Sequence, residues 1–208
     1  GRRGRGWFSP PRAGLYVSVV VNPAGAPFAR RERAGALLTL AAGVALAEAV
    51  QRATGLALDI KWPNDLVAGG RKVAGILAEA VIDQTQAGAS VVLGYGINVA
   101  PSAFPAELRD RATSLEGELG RPVDRAALCA ETLAGVAARY GDLLEGRFDA
   151  ILDRWRGLAP GSRGARVAWD TPAGPQSGVT AGIDEWGALL VQLDSRIERL
   201  VAGEVTWA

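Results

Sequence analysis

The sequence predicts an α+β fold, a mixed β-sheet flanked by helices and followed by a small β-barrel, on three observations. β-Branched runs of strand length stand at Leu15–Val21 and Ser90–Val99. Long stretches with apolar residues three and four apart lie between and after them, the spacing of helices with one buried face. Beyond a break at Leu158-Ala159-Pro160-Gly161-Ser162 only short strands follow. That break predicts a larger unit over residues 1–157 and a smaller one over 158–208. With 208 residues, 49% of them hydrophobic, and a mean hydropathy of +0.11, the chain can bury a substantial core.

In order along the chain, Gly1-Arg2-Arg3-Gly4-Arg5-Gly6-Trp7 interleaves glycines with arginines, giving exposed amides and fork-shaped donors that suit a phosphate. A basic tail or an RNA-binding arm would read similarly. The strand Leu15–Val21 is broken by Asn22-Pro23-Ala24-Gly25-Ala26-Pro27. From Phe28 to Thr54, Leu37, Leu40, Val44, Ala47 and Val50 share a helix face, and Gly55 is placed to end that helix. The apolar stretch Ala34–Val50 contains Thr39 and Glu48, so it reads as a buried helix rather than a membrane span. Residues 101–122 read as loop with a short turn at Thr113-Ser114-Leu115, able to cover a ligand. Asp124–Glu145, with Asp124 as N-cap and Leu128, Thr132, Val136, Arg139 and Leu143 along one face, and Phe148–Gly157 read as helices, Trp155 packing in the second. Short strands follow at 165–169, 178–183, 188–193, 197–201 and 204–207, with a tight turn at Asp184-Glu185-Trp186-Gly187.

Composition narrows the chemistry. The formal charge is +1, from 23 Lys and Arg against 22 Asp and Glu, so no global field draws nucleic acid or membrane. The charge is uneven: four arginines and no acid lie within Gly1–Arg12, which puts any polyanion site at the front. One cysteine, Cys129, in an apolar helical pattern, cannot form an internal disulfide and fits buried packing in a reducing, cytoplasmic compartment. With no histidine there is no Ser-His or Cys-His pair and no His-ligated zinc; catalysis must run on Arg, Lys, Asp and Asn. The chain holds no methionine, and it reads as a fragment or a processed product.

The densest chemistry is the stretch Asp59–Glu79. An extended segment ends at Lys61-Trp62, because Pro63 disfavours the helical region for the residue before it. Asn64 and Asp65 follow at a fixed bend. Ala68-Gly69-Gly70-Arg71 reads as a hairpin turn, and Lys72–Leu77 as a strand returning on the first. Asp65 and Lys72 can then face one another. A carboxylate and an amide at a rigid corner suit Mg²⁺, and a lysine opposite suits phosphate. Gly75, lacking a Cβ, lets a ligand approach the backbone. The spacing alone fits a solvated surface hairpin equally well. Further on, Gly94-Tyr95-Gly96-Ile97-Asn98 ends a buried strand in a flat platform and an amide that can both donate and accept. It lacks the helix and acid of a dinucleotide fingerprint.

Lys61-Trp62-Pro63-Asn64-Asp65 with Lys72-Val73-Ala74-Gly75-Ile76-Leu77 resembles the signature of biotin protein ligases. Trp7-Phe8-Ser9-Pro10-Pro11-Arg12-Ala13-Gly14-Leu15-Tyr16 is similar to the segment after that family's Gly-Arg-Gly-Arg-Arg-Gly loop, and Gly94-x-Gly96-Ile97-Asn98 to its adenine-contacting strand. Residues 182–189 with Gly203-Glu204-Val205 resemble its C-terminal SH3-like domain. The resemblance implies a fold of the class II aminoacyl-tRNA synthetase and biotin ligase kind. It covers nearly the whole chain, beginning after the family's Ser-Thr-Asn helix start and its glutamine-bearing strand, so an N-terminally incomplete catalytic domain is expected.

What the resemblance implies is a two-step ligase: biotin and ATP give biotinyl-5′-AMP, and biotin passes to a lysine of a carboxylase's biotin carboxyl-carrier domain. It carries the catalytic parts to Lys72 and Arg2. Biotin contacts fall on Gly1, Arg2, Trp7, Lys72, Gly75, Leu77 and Gly94, and ATP contacts on Arg2, Arg3, Asn64, Asp65, Lys72 and Asn98, with Mg²⁺ at Asp65. Lipoate ligation, a catalytically incomplete biotin- and nucleotide-binding fragment, and nucleic-acid binding through the arginine loop are the alternatives. No nucleic acid or membrane partner is expected, and the oligomeric state is open, a homodimer included.

Overall fold

The computed structural model describes residues 9–22, 27–82, 89–101, 104–172, 174–194, 196–203 and 205–207. Among these the elements run β1 (Gly14–Val21), α1 (Phe28–Thr54), β2 (Asp59–Lys61), β3 (Asp65–Ala68), β4 (Arg71–Ile82), β5 (Ala89–Asn98), α2 (Leu115–Leu119), α3 (Arg125–Glu145) and α4 (Phe148–Leu158). Then come β6 (Arg163–Thr171), β7 (Gly174–Ile183), β8 (Leu189–Gln192), β9 (Ile197–Leu200) and β10 (Thr206–Trp207).

The first sheet has the order β1-β5-β4-β3-β2, and every neighbouring pair is antiparallel. This corrects the expected mixed sheet. Strands β2 to β5 follow one another as neighbours, and α1 carries the chain from one edge strand to the other. Parallel pairing among the described residues is confined to the isolated bridge Lys72↔Ala112.

Helix α1 buries the expected Leu37, Leu40, Val44, Ala47 and Val50, and also Leu38, Ala41, Ala45 and Leu46. Its apolar surface is broad because it lies between the sheet and α3. A Cβ at Gly43 would sit 3.5 Å from Ile60 and 3.8 Å from Ile76, while one at Gly135 of α3 would come within 3.1 Å of the Ala45 carbonyl oxygen. By length and composition α1 could cross a membrane, but 72% of its apolar window is buried inside the protein, as in a core helix. Gly55, at φ 80°, ends it, its N–H donating to the Gln51 carbonyl at 2.9 Å.

Helix α3 starts as expected, the Asp124 carboxylate accepting from the Ala126 and Ala127 amides. Leu128, Thr132, Val136 and Leu143 are buried; Arg139 instead reaches Asp142 at 2.8 Å, and Cys129 is half-buried rather than fully enclosed. On α4, Phe148, Ile151, Leu152 and Trp155 pack inward at helical spacing. The expected turn at Thr113–Leu115 proves to be the start of α2, capped by the Ser114 hydroxyl, which accepts from the Gly117 amide.

The second sheet is antiparallel with the order β10-β6-β7-β8-β9. Among the described residues its edges do not pair with each other, so the sheet is open. The turn before β8 is built by Asp184: its Oδ1 accepts from the Trp186 and Ala188 amides, each at 2.9 Å, and Oδ2 accepts from Arg199. Gly187 supplies the positive φ, 79°. Burial pushes the Asp184 carboxyl up, but Arg199 and the two amides outweigh it and hold it below the usual carboxylate range. A lowered folded value means a contribution present at neutral pH and lost as pH falls through that value. Asp184→Asn is therefore expected to lower stability by about 1 kcal/mol at neutral pH, the difference closing below about pH 4. Urea unfolding at both pH values checks it.

Candidate functional site

The hairpin turn at Gly69-Gly70 has φ 54° and 79°, the two left-handed positions of a tight primed turn. Its first arm is not the segment ending at Lys61-Trp62, as the sequence suggested. Asp65–Ala68 forms a strand of its own between β2 and β4, with Leu66 and Ala68 buried by alternation. Upstream lies the cis Trp62–Pro63 peptide and then Asn64. Asn64 is tied to β4 twice: its Nδ2 donates to the Ile76 carbonyl at 2.6 Å, and the Ile76 amide donates to the Asn64 carbonyl at 2.9 Å.

Asp65 pairs across the ladder with Gly75, not with Lys72. A β-bulge brings the charges together. Leu66 opposes Ala74, but Val67 opposes Lys72, so Val73 is the extra residue and the parity of β4 flips there. Lys72 consequently shares a face with Asp65, and its Nζ lies 2.5 Å from the Asp65 Oδ1. The backbone of Lys72 is pinned from the other side, its N–H donating to the Arg111 carbonyl at 2.8 Å and its carbonyl accepting from the Thr113 amide at 2.9 Å.

That shared face is the one turned away from α1 and α3. Residues directly opposed in a ladder lie on the same face. Asp65, Gly75, Gly96 and Tyr16 form one row across four strands; Leu77, Gly94 and Ser18 form the next. The alternating residues Ala74, Ile76, Tyr95 and Ile97 are buried on the helix side, where the Tyr95 hydroxyl donates to Thr132 at 3.0 Å. Three glycines on two adjacent strands thus leave a floor without side chains, walled by the Asp65–Lys72 pair at one end. Beside it, a cleft of about 310 Å³ opens between α1, the corner, β4 and the second sheet. Thr39, Trp62, Asn64, Leu77, Trp186 and Arg199 are among the residues that line it.

Asn98 lies at the end of the same face, 8% exposed, its Nδ2 donating to the Thr113 carbonyl at 3.0 Å. The expected adenine-reading amide thus also anchors the segment that braces Lys72. That bracing was not foreseen. Glu118 completes it, accepting from Thr113 Oγ1 at 2.5 Å and from Arg71 at 2.6 Å. A sequence signal did exist: Arg71, adjacent to Lys72, and the acids of 116–118, behind a Ser N-cap. Tyr16 and Ser18 were also missed, although the outward alternation of β1 exposes them. Gly1, Arg2, Arg3 and Trp7 lie outside the described residues.

Chemically, the face offers one ammonium and one carboxylate at the edge of a flat floor. Among the described residues no three His, Cys, Asp or Glu side chains cluster. The donor set therefore suits a cation that takes one carboxylate and keeps water or substrate oxygens as its other ligands, which is the habit of Mg²⁺ rather than of caged Ca²⁺ or Zn²⁺.

Residues 1–98 match the model of the Biotin/lipoate A/B protein ligase family. Over 207 residues the chain is 34% identical to the bifunctional ligase/repressor BirA of Bacillus subtilis, covering 99% of this chain and 62% of that protein. Over 213 residues it is 35% identical to the biotin–acetyl-CoA-carboxylase ligase of Paracoccus denitrificans, covering 99% of this chain and 84% of that one. The biotin protein ligase from Aquifex aeolicus, in complex with biotin and ATP, superimposes with a TM-score of 0.81 at 27% identity, over 100% of this chain and 83% of that one.

Proposed function

We infer, since this chain belongs to the biotin protein ligase family, that its open sheet face is the floor of an adenylate-forming site on which biotin is activated with ATP. The single observation carrying the reading is the Asp65–Lys72 pair, 2.5 Å apart, at the edge of the floor of Gly75, Gly94 and Gly96. In the first step a biotin carboxylate oxygen attacks the α-phosphorus, an O–P bond forms, and pyrophosphate leaves with the bridging oxygen. Two anions are joined, so charge building on the phosphate must be neutralised in place. Lys72 does this, its backbone held by Arg111 and Thr113 so that only the side chain must turn from Asp65 to the phosphate. Asp65, with Asn64 beside it, would hold Mg²⁺, and a cation there would supply positive charge toward the phosphates. Arg2 and Arg3 close over the adenylate, Gly1 and Trp7 cover biotin, and Asn98 reads adenine.

In the second step the amine of a carrier-domain lysine attacks the acyl carbon and AMP leaves. Strand β4 runs on beyond Ile76 with no described strand pairing on its β3 side. That edge supports docking of a carrier hairpin, or of a second copy of the chain. We assign the chemistry to residues 1–157, an SH3-like domain to 158–208, and a cytoplasmic setting to the whole. Lipoate remains the second substrate to test, because the matching family model spans both ligase types.

Biotin-dependent ATP–pyrophosphate exchange by the chain, followed by label transfer to a carrier domain, tests the function. Exchange with biotin and none with lipoate is expected; the reverse preference, or none with either acid, overturns it. Asp65→Asn is expected to raise the KM for ATP by about 10- to 100-fold and leave calorimetric biotin affinity within about threefold, since one charge-assisted contact is removed.

A further inference from the structure

Of the 23 lysines and arginines in the chain only Lys61 and Lys72 are lysines, although lysine is ordinarily among the commonest residues. Wherever else this sequence places a cationic side chain it uses a guanidinium. The fold brings both ammonium-bearing residues to one carboxylate. Lys72 Nζ lies 2.5 Å from Asp65 Oδ1, and Lys61 is directly opposite Asp65 in the β2–β3 ladder.

Lys61 therefore extends the row of Asp65, Gly75, Gly96 and Tyr16 to the fifth strand, on the same open face. The pleat of β2 is fixed from beneath. Ile60, 4% exposed, packs on α1, where a Cβ at Gly43 would lie 3.5 Å from it, so its neighbour Lys61 turns to the other face. On that face Asp59 stands exposed in the next row, opposite Val67, and the centroid of the Trp207 ring lies 5.9 Å from Lys61 Nζ. An indole face orients an ammonium without neutralising it.

The order along the row sets a direction. Adjacent strands are about 4.8 Å apart, so β2 holds Lys61 one strand beyond Asp65, on the side away from the glycine floor. When an oxygen of the acid attacks the α-phosphorus, the bridging oxygen leaves from the opposite side, roughly in line. An acid lying on the floor, with its α-phosphate partner at the Asp65–Lys72 pair, thus sends the departing pyrophosphate over β2. A compact ammonium on a flexible stem can follow that polyanion as the bond to it lengthens.

We propose that Lys61 is a pyrophosphate-binding residue: it holds the β- and γ-phosphates of the nucleotide and the pyrophosphate they become, while Lys72 serves the α-phosphate. The proposal deepens the adenylate-forming reading and rests on it for the identity of the leaving group. That the corner takes a polyphosphate is tested without it.

Lys61→Met keeps the apolar stem and removes the charge; Lys61→Gln serves should the first variant fail to fold. Calorimetric titration with inorganic pyrophosphate is expected to show binding to the unmodified chain and binding at least about tenfold weaker to the variant, with biotin affinity within about threefold. In exchange kinetics the KM for pyrophosphate is expected to rise by a similar factor. Transfer from preformed biotinyl-5′-AMP to a carrier domain, in which pyrophosphate takes no part, should keep its rate. Equal losses in exchange and transfer would mark Lys61 as a structural residue and overturn the proposal. Equal pyrophosphate affinity in chain and variant, or no binding by either, overturns it too. Absence of exchange in the unmodified chain would instead remove the proposed function, while the pyrophosphate titration would still decide whether Lys61 marks a polyphosphate site.

Discussion

Replacing Lys72 with alanine is expected to lower biotin-dependent ATP–pyrophosphate exchange by about a hundredfold or more, the usual consequence of removing one preorganised group aimed at developing charge. Stability should scarcely change. The Lys72 and Asp65 side chains are 33% and 27% exposed, and an ion pair so open to solvent contributes about 0–1 kcal/mol. The backbone of residue 72 stays held by Arg111 and Thr113 whatever its side chain is, so the bulge and the floor should survive. Lys72→Arg is expected to restore little, because a planar fork delivers its charge in a different geometry from a compact ammonium. Exchange kinetics beside a thermal melt separate the effects. Near wild-type exchange in Lys72→Ala would remove Lys72 from the chemistry; a melt lowered by more than about 5 °C would show that it acts through the fold.

The facing of Asp65 and Lys72 was legible in the sequence, although for an incomplete reason. Simple hairpin pairing across Gly69-Gly70 was expected to oppose them, whereas the ladder opposes Asp65 to Gly75 and relies on the bulge at Val73. Val73, 0% exposed, looks like any buried strand residue, so nothing local marks it as the extra one. β3 was hidden for a related reason: four residues between Pro63-Asn64 and Gly69-Gly70 read as part of a bend. The helices were plain, since three- and four-residue spacing is set by the helix itself. Which face of the sheet α1 and α3 would cover, and the all-antiparallel order, depend on pairing between β1 and β5, whose partners, from Val21 with Val91 to Gly14 with Asn98, are far apart in the chain. Local pattern does not carry that. Asn98 was singled out for a ligand, and its anchoring of Thr113 emerged only once residues 111–114 were seen beside Lys72.

Gly94→Val is the second substitution with a large expected effect, and it distinguishes a ligand floor from a merely tight strand. A Cβ at Gly94 would meet the Leu77 carbonyl oxygen at 3.8 Å and Ser18 Oγ at 4.0 Å, ordinary contact distances, so the protein itself has room for a side chain there. A β-branched residue also suits the middle of a strand better than glycine, by about 0.5–1 kcal/mol. The variant should therefore fold at least as stably as the unmodified chain. Its methyl groups would stand on the open face between Ser18 and Leu77, where the proposed ligand lies. Displacing a bound reactant by about 1 Å is enough for a hundredfold loss, so biotin affinity and exchange are both expected to fall by at least that factor. Gly14 is the control. A Cβ there would meet the Tyr16 ring at 2.5 Å and the Ile97 carbonyl oxygen at 2.8 Å, so Gly14→Val should disturb the β1–β5 pairing and lower the melt. If Gly94→Val binds biotin in a calorimeter as tightly as the unmodified chain, the glycines serve strand packing alone and the ligand lies elsewhere. A stable Gly94→Val that has lost biotin, beside a destabilised Gly14→Val, requires the floor to be open because something must lie on it.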